Sequence, residues 1–160
     1  MTKLYHEGKI RIVDPSVQVQ AAYRSKSESY LISAKILFEN GRLEETVSMA
    51  YYSMYYMLLA LLFKTGIQCE NHSGAMMLLE KLYGIDSSRI AAAKRDRVDK
   101  QYYVDFEITA VDVTESIEEA EVFCADLLDY MERLHQGDIV RLRREALRIL
   151  EGQAESTTLD

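Results

Sequence analysis

Residues 49–63 read MAYYSMYYMLLALLF, apolar or tyrosine on every side of a helix. A surface helix keeps one polar face, so this segment belongs inside a fold. It is too short to cross a membrane, which takes about 20 apolar residues. Its four tyrosines, Tyr51, Tyr52, Tyr55 and Tyr56, each carry a phenol that needs a hydrogen-bond partner once buried. The segment predicts a central helix sheathed by others, with Tyr52, Met54, Leu58 and Leu61 in the core. Its apolar girth further predicts a surface for self-association, because one small domain has few helices with which to cover it.

The rest of the chain supplies those neighbours. A single proline, Pro15, and seven glycines in 160 residues leave few breakers, so long helices are expected. Asp14-Pro15 predicts a helix start and Asn40-Gly41 its end. The central helix then runs over 42–65 and stops at Gly66, and the short turn before it makes the first two helices an antiparallel hairpin. Asn71 caps a third helix that ends at Tyr83-Gly84. Ser87 or Ser88 starts a fourth, to about residue 104. A fifth starts over 114–116, with Ser116 and Glu119 as a capping box. Its stripe includes Ile117, Ala120, Cys124, Leu127 and Leu128. Gly137 stops it, and Asp138 caps a final helix to about residue 151. No segment alternates long enough to predict a strand. The expected class is all-α, an antiparallel bundle of four to five main helices with an additional C-terminal helix. The expected division is an N-terminal arm or short strand over 1–13, one bundle domain over 14–151 and a flexible tail over 152–160.

Composition narrows the function. The formal charge of −7 argues against a general nucleic-acid coat protein, though not against a local basic patch. Cys69 and Cys124 lack the paired spacing of a zinc site, and the N-terminus has no signal-peptide pattern; together they predict a reduced, cytoplasmic setting and no membrane. No glycine-rich phosphate loop is present, and His6, His72 and His135 are scattered, so neither a cofactor nor a metal is expected.

Residues 89–101, RIAAAKRDRVDKQ, hold five basic and two acidic residues, a local +3 followed at once by Tyr102 and Tyr103. Arginine beside tyrosine suits phosphate binding and base stacking. The plain alternative is a solvated face that ion-pairs with the fifth helix, whose span 115–132 has seven acidic residues and no basic one. His72, beside the Asn71 cap, sits where loose N–H groups favour anions; a simple packed or surface histidine is the alternative. Arg141, Arg143, Arg144 and Arg148 mark the last helix, most simply read as packed on the bundle with its arginines in water.

The order SAKILFENGRLEETV, AYYSMYYMLLALL, NHSG, an arginine followed by paired tyrosines, and ESIEEAEVF resembles the HEPN domains, in particular the small stand-alone HEPN proteins of bacteria and archaea. The resemblance covers about residues 23–134. It implies a HEPN-like bundle that pairs as a homodimer, with the fourth helix near the interface, and that is often encoded beside a minimal nucleotidyltransferase as a toxin-antitoxin component. In active members an arginine and, four to six residues on, a histidine cleave RNA without a metal. Here the arginine is Arg97, or Arg95 at the longer spacing, and Tyr102 takes the histidine's place. A phenol with a pKa of about 10 is a poor base near neutrality, so catalysis stays open. The tyrosine that family members carry two places after the histidine is not reproduced in register: Val104 stands there, with Tyr103 displaced. The implied RNA or nucleotide cleft gathers Arg95, Arg97, Lys100, Tyr102, Tyr103 and His72, with Arg97 and Tyr102 as the pair that acts. The alternatives are a metal-independent endoribonuclease using Arg97, Tyr102 and His72, and a non-catalytic structural adaptor.

Overall fold

The computed structural model describes residues 1–102 and 107–152, and the side chains of all of these except 99–102. Seven helices and one two-stranded ribbon are seen among the described residues: α1 (Thr2–His6), β1 (Ile10–Ile12), α2 (Val17–Glu39), α3 (Leu43–Lys64), β2 (Ile67–Cys69), α4 (His72–Tyr83), α5 (Ser88–Tyr102), α6 (Ala110–Arg133) and α7 (Gln136–Glu151). The protein is an all-α bundle.

The apolar run lies in α3, and α3 is the axis. Tyr51, Met54, Leu58, Leu61 and Leu62 are fully buried. The fold covers α3 with α2, α6, α5, α4 and β2. Its girth is therefore absorbed within one chain, and the inference from that girth to self-association loses its footing. By length and composition α3 could cross a membrane, but 72% of its apolar window is buried inside the bundle. Tyr23 meets Phe63 and Tyr56 while Tyr30 meets Tyr56 and Tyr52, so residue numbers run oppositely and α2 and α3 form the expected antiparallel hairpin. Leu127 is fully buried as expected; Tyr52 and Leu128 are half-buried at the flanks.

The helix starts differ from expectation where a better cap lies nearby. Ser16, not Asp14, caps α2, its Oγ accepting from Val19 N–H at 3.2 Å. Thr109 and Asp112 form the capping box of α6 about two turns before Ser116, and Val113 extends the buried stripe into that added length. Ser116 Oγ instead donates to the Asp112 carbonyl, 2.9 Å, inside the helix. Asp138 accepts from the His135 N–H at 3.1 Å, so α7 starts at Gln136 and Gly137 lies within it rather than between helices.

The N-terminal residues form α1 and β1, and β1 pairs antiparallel with β2, Ile10 opposite Cys69. Three-residue strands are too short to show alternation in a sequence, which is why β2 was not expected. The ribbon is held from α7. Arg143 Nη1 donates to the carbonyls of Val13, Thr65 and Gly66, placing a cation against the C-terminal end of α3. Gly66 has φ +73°, and a Cβ there would lie 1.6 Å from Arg143 Nη1 and 2.5 Å from the Val13 carbonyl, so only glycine fits. Arg143 is thus a clamp rather than one more arginine in water.

Candidate functional site

The central helix, the ribbon and α5 converge on His72. Asn71 caps α4, its Oδ1 accepting from Gly74 N–H at 2.7 Å, and this fixes His72 as the first helical residue. The imidazole lies flat on Tyr55, with centroids 3.8 Å apart and planes 11° apart. Its Nδ1 is hydrogen-bonded to the Tyr51 hydroxyl. Two adjacent turns of α3 therefore hold the ring in face and in edge. One expected need of the buried run, a partner for each phenol, is here met by a histidine.

Arg97 reaches the same place from α5. Its guanidinium carbon sits 4.9 Å from the Tyr52 ring centroid and 5.5 Å from that of Tyr51, a cation stacked over two aromatic faces. Lys94, one turn back on α5, donates from Nζ to Ser73 Oγ at 2.9 Å. Among the described residues no ion pair engages either cation, whereas Arg89 on the same helix pairs with both Glu119 and Asp126, each at 3.2 Å.

The charges and burial tune the titrating groups. Burial first, then the charges of Lys94 and Arg97, hold the His72 pKa below its usual value, so the ring is neutral at pH 7. Burial pushes the phenols of Tyr51 and Tyr55 up, with Arg97 pulling Tyr51 partly back, so both stay protonated. Burial also raises the Cys69 thiol, whose Sγ donates to the Asn71 carbonyl at 3.2 Å. Cys69 is a packed thiol, not a nucleophile.

Of the residues singled out in the sequence, Arg97 and His72 come together, joined through Tyr51. Arg95 does not join them. It is exposed and, with Arg89, lines a groove of about 620 Å³ between α5 and α6 whose other walls include Glu107, Asp112, Glu115 and Glu119. Two residues apart on a helix means opposite sides, while Lys94 and Arg97, three apart, share one. Tyr103 and the side chains of Lys100 and Tyr102 lie outside the described residues. His6 stands beside Tyr5 at the end of α1, and His135 is at the start of α7. No group of three or more potential metal ligands occurs among the described residues. Tyr51, Tyr52, Tyr55 and Lys94 belong to the cluster without having been singled out for it. The signal was there: YYSMYY places Tyr51 and Tyr55 one turn apart on one stripe, so their phenols must reach a common polar neighbour.

Fold and cluster define a helical-bundle protein with a cationic cluster backed by tyrosine. The match to the HEPN domain spans residues 21–133, and the chain belongs to that family. Among its relatives, the UPF0332 protein PH1297 of Pyrococcus horikoshii is 44% identical over 52 residues, 32% of this chain and 37% of that protein. A UPF0332 protein of Thermotoga maritima is 35% identical over 54 residues, 34% and 41% of the two chains. The aligned segments thus span about two fifths of these relatives.

Proposed function

We propose that this HEPN protein binds RNA or a nucleotide by its phosphate, with Arg97 as the principal contact and Lys94 and His72 beside it. The observation that carries this reading is the Arg97 guanidinium, stacked on two tyrosines and engaged by no ion pair among the described residues. An arginine held by its faces keeps its N–H edge for a bidentate phosphate contact. Lys100 and Tyr102, further along α5, and Tyr103, next in the sequence, are the further contacts of this reading. The protein acts as a homodimer with α5 near the interface, in a cytoplasmic toxin-antitoxin pair with a minimal nucleotidyltransferase. Family membership supports the dimer, as do Ile32 and Ile36, one turn apart on α2 and 59% and 53% exposed. Light scattering at micromolar concentration is expected to give twice the 18.4 kDa chain mass; a monomer mass counts against pairing.

The test of the site is binding of a single-stranded oligoribonucleotide by wild type and Arg97→Ala, titrated with salt. Arg97→Ala is expected to weaken binding and to flatten its salt dependence, because one phosphate contact is lost. Unchanged binding sinks the reading. A non-catalytic adaptor is the second reading, and what favours it is the structural use of Arg89 in tying α5 to α6.

A further inference from the structure

We propose that α1, β1 and α7 form a clasp that sets the start of α4, with Leu4 and Arg143 as positioning residues for the cationic cluster. The family match runs over residues 21–133, so all three elements lie beyond the matched bundle. The inference rests on the phosphate-binding reading for what the clasp serves, and on contacts alone for how it is built.

Seven residues, 65–71, join the end of α3 to His72. Because α3 carries the tyrosines against which the imidazole lies, this link decides whether His72 reaches them. The link is tied from Thr65 to Glu70, and the ties come from outside the matched bundle. Arg143 of α7 donates to the carbonyls of Thr65 and Gly66 and to that of Val13. The Val13 N–H donates to the Gly66 carbonyl at 2.9 Å. β2 is paired along its length with β1. The Glu70 N–H donates to the Lys9 carbonyl at 2.9 Å, one residue before the Asn71 cap. Ties meant only to fasten the ends of the chain could fall anywhere on the bundle; these fall on the link between the tyrosines and the histidine.

The clasp also meets α4 directly. Leu4 of α1 lies against Gly74, where a Cβ would come within 2.9 Å of Leu4 Cδ1. Gly74 is the residue whose N–H donates to the Asn71 side chain, so Leu4 presses on the capped turn that holds His72 and Ser73. The Ser73 hydroxyl accepts from Lys94, so one turn carries both the histidine and the anchor of a cation. α7 packs on both α1 and α4 and buries Leu142, Ala146 and Leu150. Past its end, a Cβ at Gly152 would lie 3.5 Å from Thr2 Oγ1, so α7 closes back on α1.

Removing the Arg143 guanidinium frees three carbonyls and lets the link and the start of α4 shift together. His72 then leaves the Tyr55 face, and Ser73 leaves Lys94. Burial and the two cations hold the His72 pKa down, so a rise toward 6.5 reports that displacement. Tyr51 and Tyr55 face the ring from α3, Lys94 and Arg97 from α5, and the Cys69 thiol lies in the link. The two phenols and the thiol have pKa values pushed up by burial, so they do not titrate alongside it.

The experiment follows the His72 titration midpoint by NMR in the folded full-length protein, together with binding of a single-stranded oligoribonucleotide. Arg143→Ala should raise the midpoint by about half a pH unit or more, and Leu4→Ala should raise it by less. Arg143→Lys should bring it back toward wild type, because an ammonium still donates to the carbonyls. Leu4 is only half-buried, so Leu4→Ala decides the matter if Arg143→Ala does not fold. Leu127→Ala, a core change on α6, should lower stability and leave the midpoint in place. Arg143→Ala should also weaken RNA binding severalfold, by less than Arg97→Ala does. A midpoint unmoved in the folded variants, or moved as far by Leu127→Ala, overturns the clasp. A raised midpoint with wild-type RNA affinity overturns its role in binding. Equal RNA binding by wild type and Arg97→Ala overturns the phosphate reading instead, and the midpoint still decides for or against the clasp.

Discussion

The two sides of α5 use the same kind of residue in opposite ways. On the side facing α6, Arg89 spans Glu119 and Asp126, and Arg95 stands over a groove with five carboxylates in its walls. On the side facing α3, Arg97 lies on tyrosine rings and Lys94 on a serine hydroxyl. A carboxylate neutralises an arginine; an aromatic face holds it in place and leaves its charge and its N–H edge available. Surface ion pairs contribute little stability, so the first side is modest glue. The second side puts two cations next to a histidine that burial, and then those two charges, keeps neutral. The difference teaches that a basic run is read by what each residue stacks on or pairs with, and not by its net charge.

This contrast can be tested from its foundation upward. Both sides rest on α3, and Leu61→Ala should destabilise the protein by about 2–5 kcal/mol in a denaturant titration, since Leu61 is fully buried. A midpoint left unchanged would mean that α3 is not the common support. Arg89→Ala removes two half-exposed ion pairs and should cost at most about 1 kcal/mol of stability, with RNA binding unaffected. Arg97→Ala should change stability by no more than about 1 kcal/mol, the scale of an exposed cation–π contact, while its effect on binding is large. If Arg97→Ala proves the more destabilising of the two and leaves binding alone, the two sides have been assigned the wrong way round.

The smallest expected effect is one of pH. The His72 pKa is depressed in the fold, so the unfolded chain takes up a proton first as pH falls below about 6.5. Stability from this group is complete above that value and is lost as pH drops toward the lower folded pKa. Thermal melts between pH 7 and 5 should therefore show a fall that is shallower in His72→Gln, and identical profiles would remove the basis for a neutral His72.

How much of this was legible in the sequence follows from range. The long helices, the α2–α3 hairpin and the α4 cap at Asn71 are written in periodicity and in adjacent capping residues, so they could be read directly. The start of α6 differs from expectation because two capping boxes lie about two turns apart, and the burial of Val113 decides for Thr109. The ribbon of β1 and β2 was not foreseen because its partners are far apart in sequence and its strands too short to alternate. For the site, Arg97 and His72 stood out singly by residue type. That they share Tyr51 depends on how α4 and α5 pack against α3, and no spacing along the chain encodes it. Arg95 looked equivalent to Arg97 in a run of charges, and the helix turn separates them.

The central claim, that the α3-facing side of α5 is the phosphate site and the α6-facing side is structural, is tested most directly by one paired titration. Arg97→Ala and Arg89→Ala are each titrated with the same single-stranded oligoribonucleotide across a range of salt. The account predicts that Arg97→Ala loses about tenfold or more in affinity and about one unit of salt slope, while Arg89→Ala matches wild type in both. Equal losses in the two variants, or a loss confined to Arg89→Ala, would contradict it.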